Sequence, residues 1–212
     1  MRQLIYAAVV GFVAVQLYQA ARSPLMQKAW TIARGIKIRH FFANLPMMAT
    51  TMVVATVFLY IPGLSWGWWS MFGGEGSILF GRVQDGEESR AIVSMISAFL
   101  MSAFIVVVPP LAMREEQIFR MGSERRTPKD RVSNAVFFGL LHSVMGIPIG
   151  VALALSLGGI WFTSRYLSGY KKARMAGQDL MGSREAGIRE STLHHMAWNW
   201  TILALVFSLM LF

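Results

Sequence analysis

The 212-residue chain is 55% hydrophobic and 15% charged, carries a net charge of +9 and has no cysteine. An ordinary soluble domain is about 25% charged, a disordered chain is charge-rich and poor in aromatics, and a disulfide scaffold needs cysteine. Composition therefore predicts an integral membrane protein, and at about 20 residues per span five or six spans would use over half of the chain.

The first predicted span is Leu4 to Ala21, bounded by Arg2 and Arg22. It is expected to be retained, because Gln19 to Pro24 makes a poor signal cleavage site. Residues 22–40 mix Arg22, Lys28, Arg34, Lys37 and Arg39 with Trp30, Ile32, Ile36 and Ile38, the pattern of an amphipathic helix on the inner leaflet, which Gly35 weakens. Span two is expected from Phe41 to Pro62. Residues 63–90 hold Glu75, Asp85, Glu87 and Glu88 against Arg82 and Arg90, and carry Trp66, Trp68 and Trp69, which read as an interfacial aromatic belt. Span three runs from Ala91 to Met113, with a kink expected at Pro109-Pro110. The apolar stretch from Val132 to Tyr166 is too long for one helix. Gly146-Ile147-Pro148 divides it into spans four and five, with Pro148 opening the second. Span six is His195 to Phe212.

Residues 114–131 and 165–193 each hold six Lys or Arg. The positive-inside rule puts both of these loops and residues 22–40 on the cytoplasmic side. Six spans with the N-terminus outside satisfy every loop. The basic excess is thus read as topology, and nucleic acid is not an expected partner.

Ionisable groups at membrane depth are costly and become candidates for function. Glu115-Glu116 is followed by Arg120, so Glu116 and Arg120 are i,i+4 neighbours on one helix face, and Glu115 lies about 100° round the helix. Phe138 and His142 share a face at the same spacing, with Gly139 permitting close helix approach. His195 and Asn199 form a third i,i+4 pair, with His194 pointing about 100° away. A carboxylate beside an imidazole can activate water as a general base. A second imidazole and an amide suit a developing oxyanion. Together they describe amide hydrolysis without a covalent intermediate. Zinc is the alternative, set back by the missing H-E-x-x-H. No cofactor is therefore expected, with zinc the runner-up.

Glu115-Glu116-x-x-x-Arg120, Phe138-x-x-x-His142 and His195-x-x-x-Asn199 resemble the three-motif signature of the CAAX prenyl endopeptidase and bacteriocin-processing family, also called CPBP or type II CAAX intramembrane proteases. The resemblance implies an all-α polytopic transmembrane bundle with a cytosol-facing active-site cavity. The resemblance covers about residues 91–212, the expected catalytic core; the two N-terminal spans in 1–90 carry no matching signature, and residues 1–212 are expected to form one integral membrane domain. It implies Glu115 as the base that activates water, Glu116 and Arg120 as its support, His142 as a second holder of the water, and His195 and Asn199 as the oxyanion hole. The expected protein is a glutamate-type endopeptidase of a prokaryotic inner membrane. Its substrate would be a hydrophobic or membrane-tethered peptide or protein cut near its C-terminus, and the lipid bilayer would be its partner. A non-catalytic immunity or scaffold protein, a zinc-dependent membrane protease and a small proton-relay transporter are the alternatives.

Overall fold

The computed structural model of the chain describes residues 11, 15, 18, 22–67 and 87–211. Among them are six α-helices: α1 (Pro24–Ala33), α2 (Ile38–Leu59), α3 (Glu87–Arg120), α4 (Pro128–Leu141), α5 (Ile149–Met175) and α6 (Leu180–Leu211). Short 3-10 turns at Ser123–Arg125 and His142–Met145 precede and follow α4.

Local chemistry explains most of these boundaries. Ser23 caps α1, its Oγ accepting from the Met26 N–H at 3.1 Å, and Pro24 fills the first turn, where a missing N–H costs nothing. Thr127 caps α4 in a capping box with Asp130, ahead of Pro128. The helices on either side of the Gly146–Pro148 break are α4 and α5. There Gly146 adopts φ +86°, a conformation open to glycine but strained for other residues. α3 runs through Pro109 and Pro110 to Arg120 without interruption.

α5 lies between α2, α4 and α6, and α6 also packs on α3. Small residues on α5 (Gly150, Ala152, Ala154, Ser156, Gly158 and Gly159) are buried and let backbones meet. A Cβ on Gly139 of α4 would come within 2.8 Å of the Ser156 backbone nitrogen. The core cluster of Met48, Phe119, Phe138, Phe162 and Trp198 draws on α2 to α6. A polar tie fixes the α3–α4 connection to α5 and α6. Tyr166 Oη donates to Glu124 at 2.8 Å, Arg184 pairs with the same carboxylate at 2.7 Å, and the Gly122 N–H donates to Tyr166.

The expectation of six membrane spans is corrected. Among the described residues one helix, α2, is long and apolar enough to cross a membrane. α4, with 14 residues, is about 21 Å long at 1.5 Å per residue, short of a hydrocarbon layer of about 30 Å. α5 continues through Arg165, Lys171, Lys172 and Arg174, and α6 begins through Arg184, Glu185, Arg189 and Glu190. α3 is charged at both ends. α1 buries Met26, Ala29 and Ala33 and packs on α3 and α6; of the residues assigned to the inner leaflet, Trp30, Ile32 and Ile36 are partly buried in that contact and Ile38 is exposed. An inner-membrane location with the N-terminus outside, and a bilayer or membrane-tethered peptide as partner, depended on the six spans and fall with them. The expected span Leu4 to Ala21 lies largely outside the described residues. Trp68, Trp69, Glu75 and Asp85 lie wholly outside them.

Candidate functional site

Two polar centres meet at one turn of α6. The first joins residues singled out by motif spacing. Glu116 and Arg120 are both buried on α3, with Glu116 Oε2 3.5 Å from Arg120 Nε. Burial pushes the Glu116 carboxyl up, but Arg120 and His195 outweigh it and hold the group below the usual carboxylate range. An ionised carboxylate can only accept, so His195 donates through Nδ1, at 2.9 Å to Glu116 Oε1. The other ring nitrogen, Nε2, lies 3.6 Å from Glu115 Oε2, on a side chain about one-third exposed. Phe162 stacks on the His195 ring at 4.4 Å, and the Arg120 guanidinium lies over the Phe138 ring at 4.1 Å. Burial pulls the Arg120 guanidinium down against the opposing pull of Glu116.

His142 joins this group through an aromatic neighbour. Phe138 lies edge-on to both imidazoles, 5.0 Å from His142 and 5.7 Å from His195. His142 Nδ1 pairs with the Phe138 carbonyl at 2.9 Å. His142 follows the last residue of α4 and begins a 3-10 turn, so it is not inside a long apolar helix. Asn199 is half-buried one turn beyond His195 on α6. The structure thus gathers Glu115, Glu116, Arg120 and His195 into one network, with His142 reached through Phe138 and Asn199 further along the helix.

Motif spacing missed the second centre. His40 on α2 and Glu190 and His194 on α6 bring one potential ligand atom each within 4.8 Å of one another, a set that could hold a metal ion. The imidazoles of His40 and His194 are edge to face at 5.0 Å, and His194 Nε2 is 3.6 Å from Glu190 Oε1. His40 is buried, and its Nε2 has no hydrogen-bond partner. Burial, and next the neighbouring His194, hold His40 below the usual imidazole value, so it is neutral near pH 7. The His194 imidazole beside Glu190 holds that carboxyl below its usual range.

The donor set fits a transition-metal ion. Two imidazoles and one carboxylate are a common zinc-type ligand set; His40 Nδ1 accepts from the Lys37 N–H at 2.8 Å, so a neutral His40 carries its hydrogen on the unpartnered Nε2 and ligates only by giving up that hydrogen bond. The expectation of no cofactor is corrected on this geometry. A readable signal was present, because Glu190 and His194 are i,i+4 on one helix face.

Comparison with known protein families, curated proteins and solved structures finds no match. The resemblance to the CAAX-type proteases is therefore corrected. The family comparison does not return it, and the described helices do not form the polytopic membrane fold it implies. Assignment as an intramembrane endopeptidase falls with it.

Proposed function

We propose that this chain is a divalent-metal-binding protein whose cation, of the zinc class, is held by His40, Glu190 and His194. The supporting observation is the meeting of His194 Nε2 and Glu190 Oε1 at 3.6 Å while His194 Nδ1 is engaged by the Asn44 carbonyl oxygen at 3.0 Å. A neutral His194 hydrogen-bonded in that way turns a lone pair toward a carboxylate. In that state the Nε2 lone pair and the Glu190 carboxylate, about one-third exposed, are two acceptors facing each other, a pair that a bound cation would bridge. Imidazole ligands favour zinc, copper or nickel over magnesium and calcium, which prefer oxygen.

Beside this centre, Glu115, Glu116, Arg120, His142, His195 and Asn199 would form a proton-handling site. In that assignment Glu116 and Arg120 anchor the His195 ring, and Glu115, about one-third exposed, faces His195 Nε2 from the solvent side. His142 and Asn199 stand at its edges. Carbodiimide labelling with a small amine should mark Glu115 and leave Glu116 unmodified in the folded chain. Equal labelling of both would sink the division of roles.

The metal assignment is tested on chelator-stripped protein by calorimetric titration with zinc, magnesium and calcium. One zinc per chain is expected, with magnesium and calcium binding much more weakly. His194→Ala and Glu190→Gln should lose zinc binding, and Glu115→Gln should retain it. A wild-type chain that takes no zinc, or a His194→Ala variant that binds it unchanged, overturns the assignment.

A further inference from the structure

Asn44 is fully buried on α2, one turn after His40. Its amide makes three contacts. Trp161 Nε1 donates to Oδ1 at 2.8 Å, Nδ2 donates to the His194 carbonyl at 2.7 Å, and His194 Nδ1 lies 3.0 Å from Oδ1. An indole N–H can only donate and a backbone carbonyl can only accept. The amide orientation is therefore determined from both ends, which hydrogen-bond networks often leave ambiguous. With Oδ1 facing His194, the hydrogen must sit on His194 Nδ1. In the neutral ring Nε2 then carries the lone pair, on the side where Glu190 stands.

We infer that Asn44 is a positioning residue of the cation centre, holding His194 as its Nδ1–H tautomer so that Nε2 is presented as a ligand, with Trp161 locking the amide. The inference rests on the assignment of His40, Glu190 and His194 to a cation. Outer partners of this kind fix the tautomer and direction of a ligating histidine, and their loss typically costs 10–100-fold in metal affinity. Simple packing glue would need no particular orientation of the amide. Here the two flanking partners force the one orientation that puts the hydrogen on His194 Nδ1 and directs Nε2 at Glu190.

The test is the tautomer itself, read by nitrogen-15 NMR of the histidine rings in the full chain at pH 8 with chelator present, followed by zinc titration. Wild type should show His194 protonated on Nδ1. Asn44→Asp keeps an acceptor oxygen and should keep that tautomer and most of the zinc affinity. Asn44→Leu should release the ring to the Nε2–H form and lower affinity 10–100-fold. Should Asn44→Leu fail to fold, Trp161→Phe removes only the lock and should give a smaller loss of affinity with a mixed tautomer. His194 protonated on Nε2 in wild type overturns the inference. So does an Asn44→Leu or Trp161→Phe variant with unchanged tautomer and unchanged affinity. A wild type with the Nδ1–H tautomer that takes no zinc overturns the cation centre alone and leaves Asn44's control of the ring standing.

Discussion

Glu116 is where burial and charge oppose each other most directly. Its carboxylate is fully buried, and Arg120 and His195 keep it ionised. Glu116→Gln strips Arg120 of its counter-charge inside the core. Breaking a buried pair from one side costs about 3–5 kcal/mol, so a loss of that size is expected in urea unfolding. Glu115→Gln, on a partly solvated side chain, should cost less than about 1 kcal/mol. The pH dependence has a fixed sign. The folded pKa of Glu116 lies below its unfolded value of about 4.3, so its stabilisation is complete above that value. It is lost as pH falls through the depressed folded value. Unfolding measured from pH 6 down to pH 3 should show this acid loss in wild type and a flatter profile in Glu116→Gln. The Glu116–Arg120 pairing was legible because it is local, four residues on one helix. The contact of Asn44 with His194 spans 150 positions, and no local spacing announces it.

At the scale of the helix, Gly139 and Lys37 carry opposite lessons. In an exposed helix Gly→Ala gains about 1 kcal/mol. At Gly139 the added methyl would crowd the backbone nitrogen of Ser156 at 2.8 Å, so α4 and α5 must part. Overpacking of this kind costs about 1–3 kcal/mol. The Gly139→Ala variant should therefore be less stable by chemical denaturation, and a gain in stability would show that the two helices separate without cost. At the start of α2 the Lys37 N–H donates to His40 Nδ1 at 2.8 Å. A neutral His40 so engaged carries its hydrogen on Nε2. Ligation through Nε2 moves that hydrogen to Nδ1, and ligation through Nδ1 uses the same lone pair that Lys37 needs. By either route the Lys37 amide loses its acceptor. Hydrogen exchange at Lys37 should accelerate when zinc is added, and unchanged protection would place the cation elsewhere. The Gly146–Pro148 break was readable, whereas the caps Ser23 and Thr127, whose side-chain oxygens accept from the backbone N–H three residues on, were not singled out. Membrane spans were misread because an apolar stretch records a preference for burial without saying what covers it. The Met26, Ala29 and Ala33 face of α1 is covered by α3 and α6.

For the whole molecule, α6 is the common member of both centres and of the tie through Arg184. A cation bound only by the folded chain stabilises it by about 2.7 kcal/mol at 100 times its Kd. For a chain of this size that raises Tm by about 5–10 °C. The rise should reverse with chelator and be absent in His194→Ala; an equal rise in that variant would indicate nonspecific binding. His40 was the one histidine that motif spacing left unassigned, and His194 the one it could not place. The fold joins them by packing α2 against α6, a long-range contact that composition does not express. His194 and His195 are consecutive, about 100° apart around α6 and 1.5 Å along it. Their partners therefore stand in different directions around one axle. A rigid roll of α6 moves both imidazoles together, so the two centres share one mechanical element.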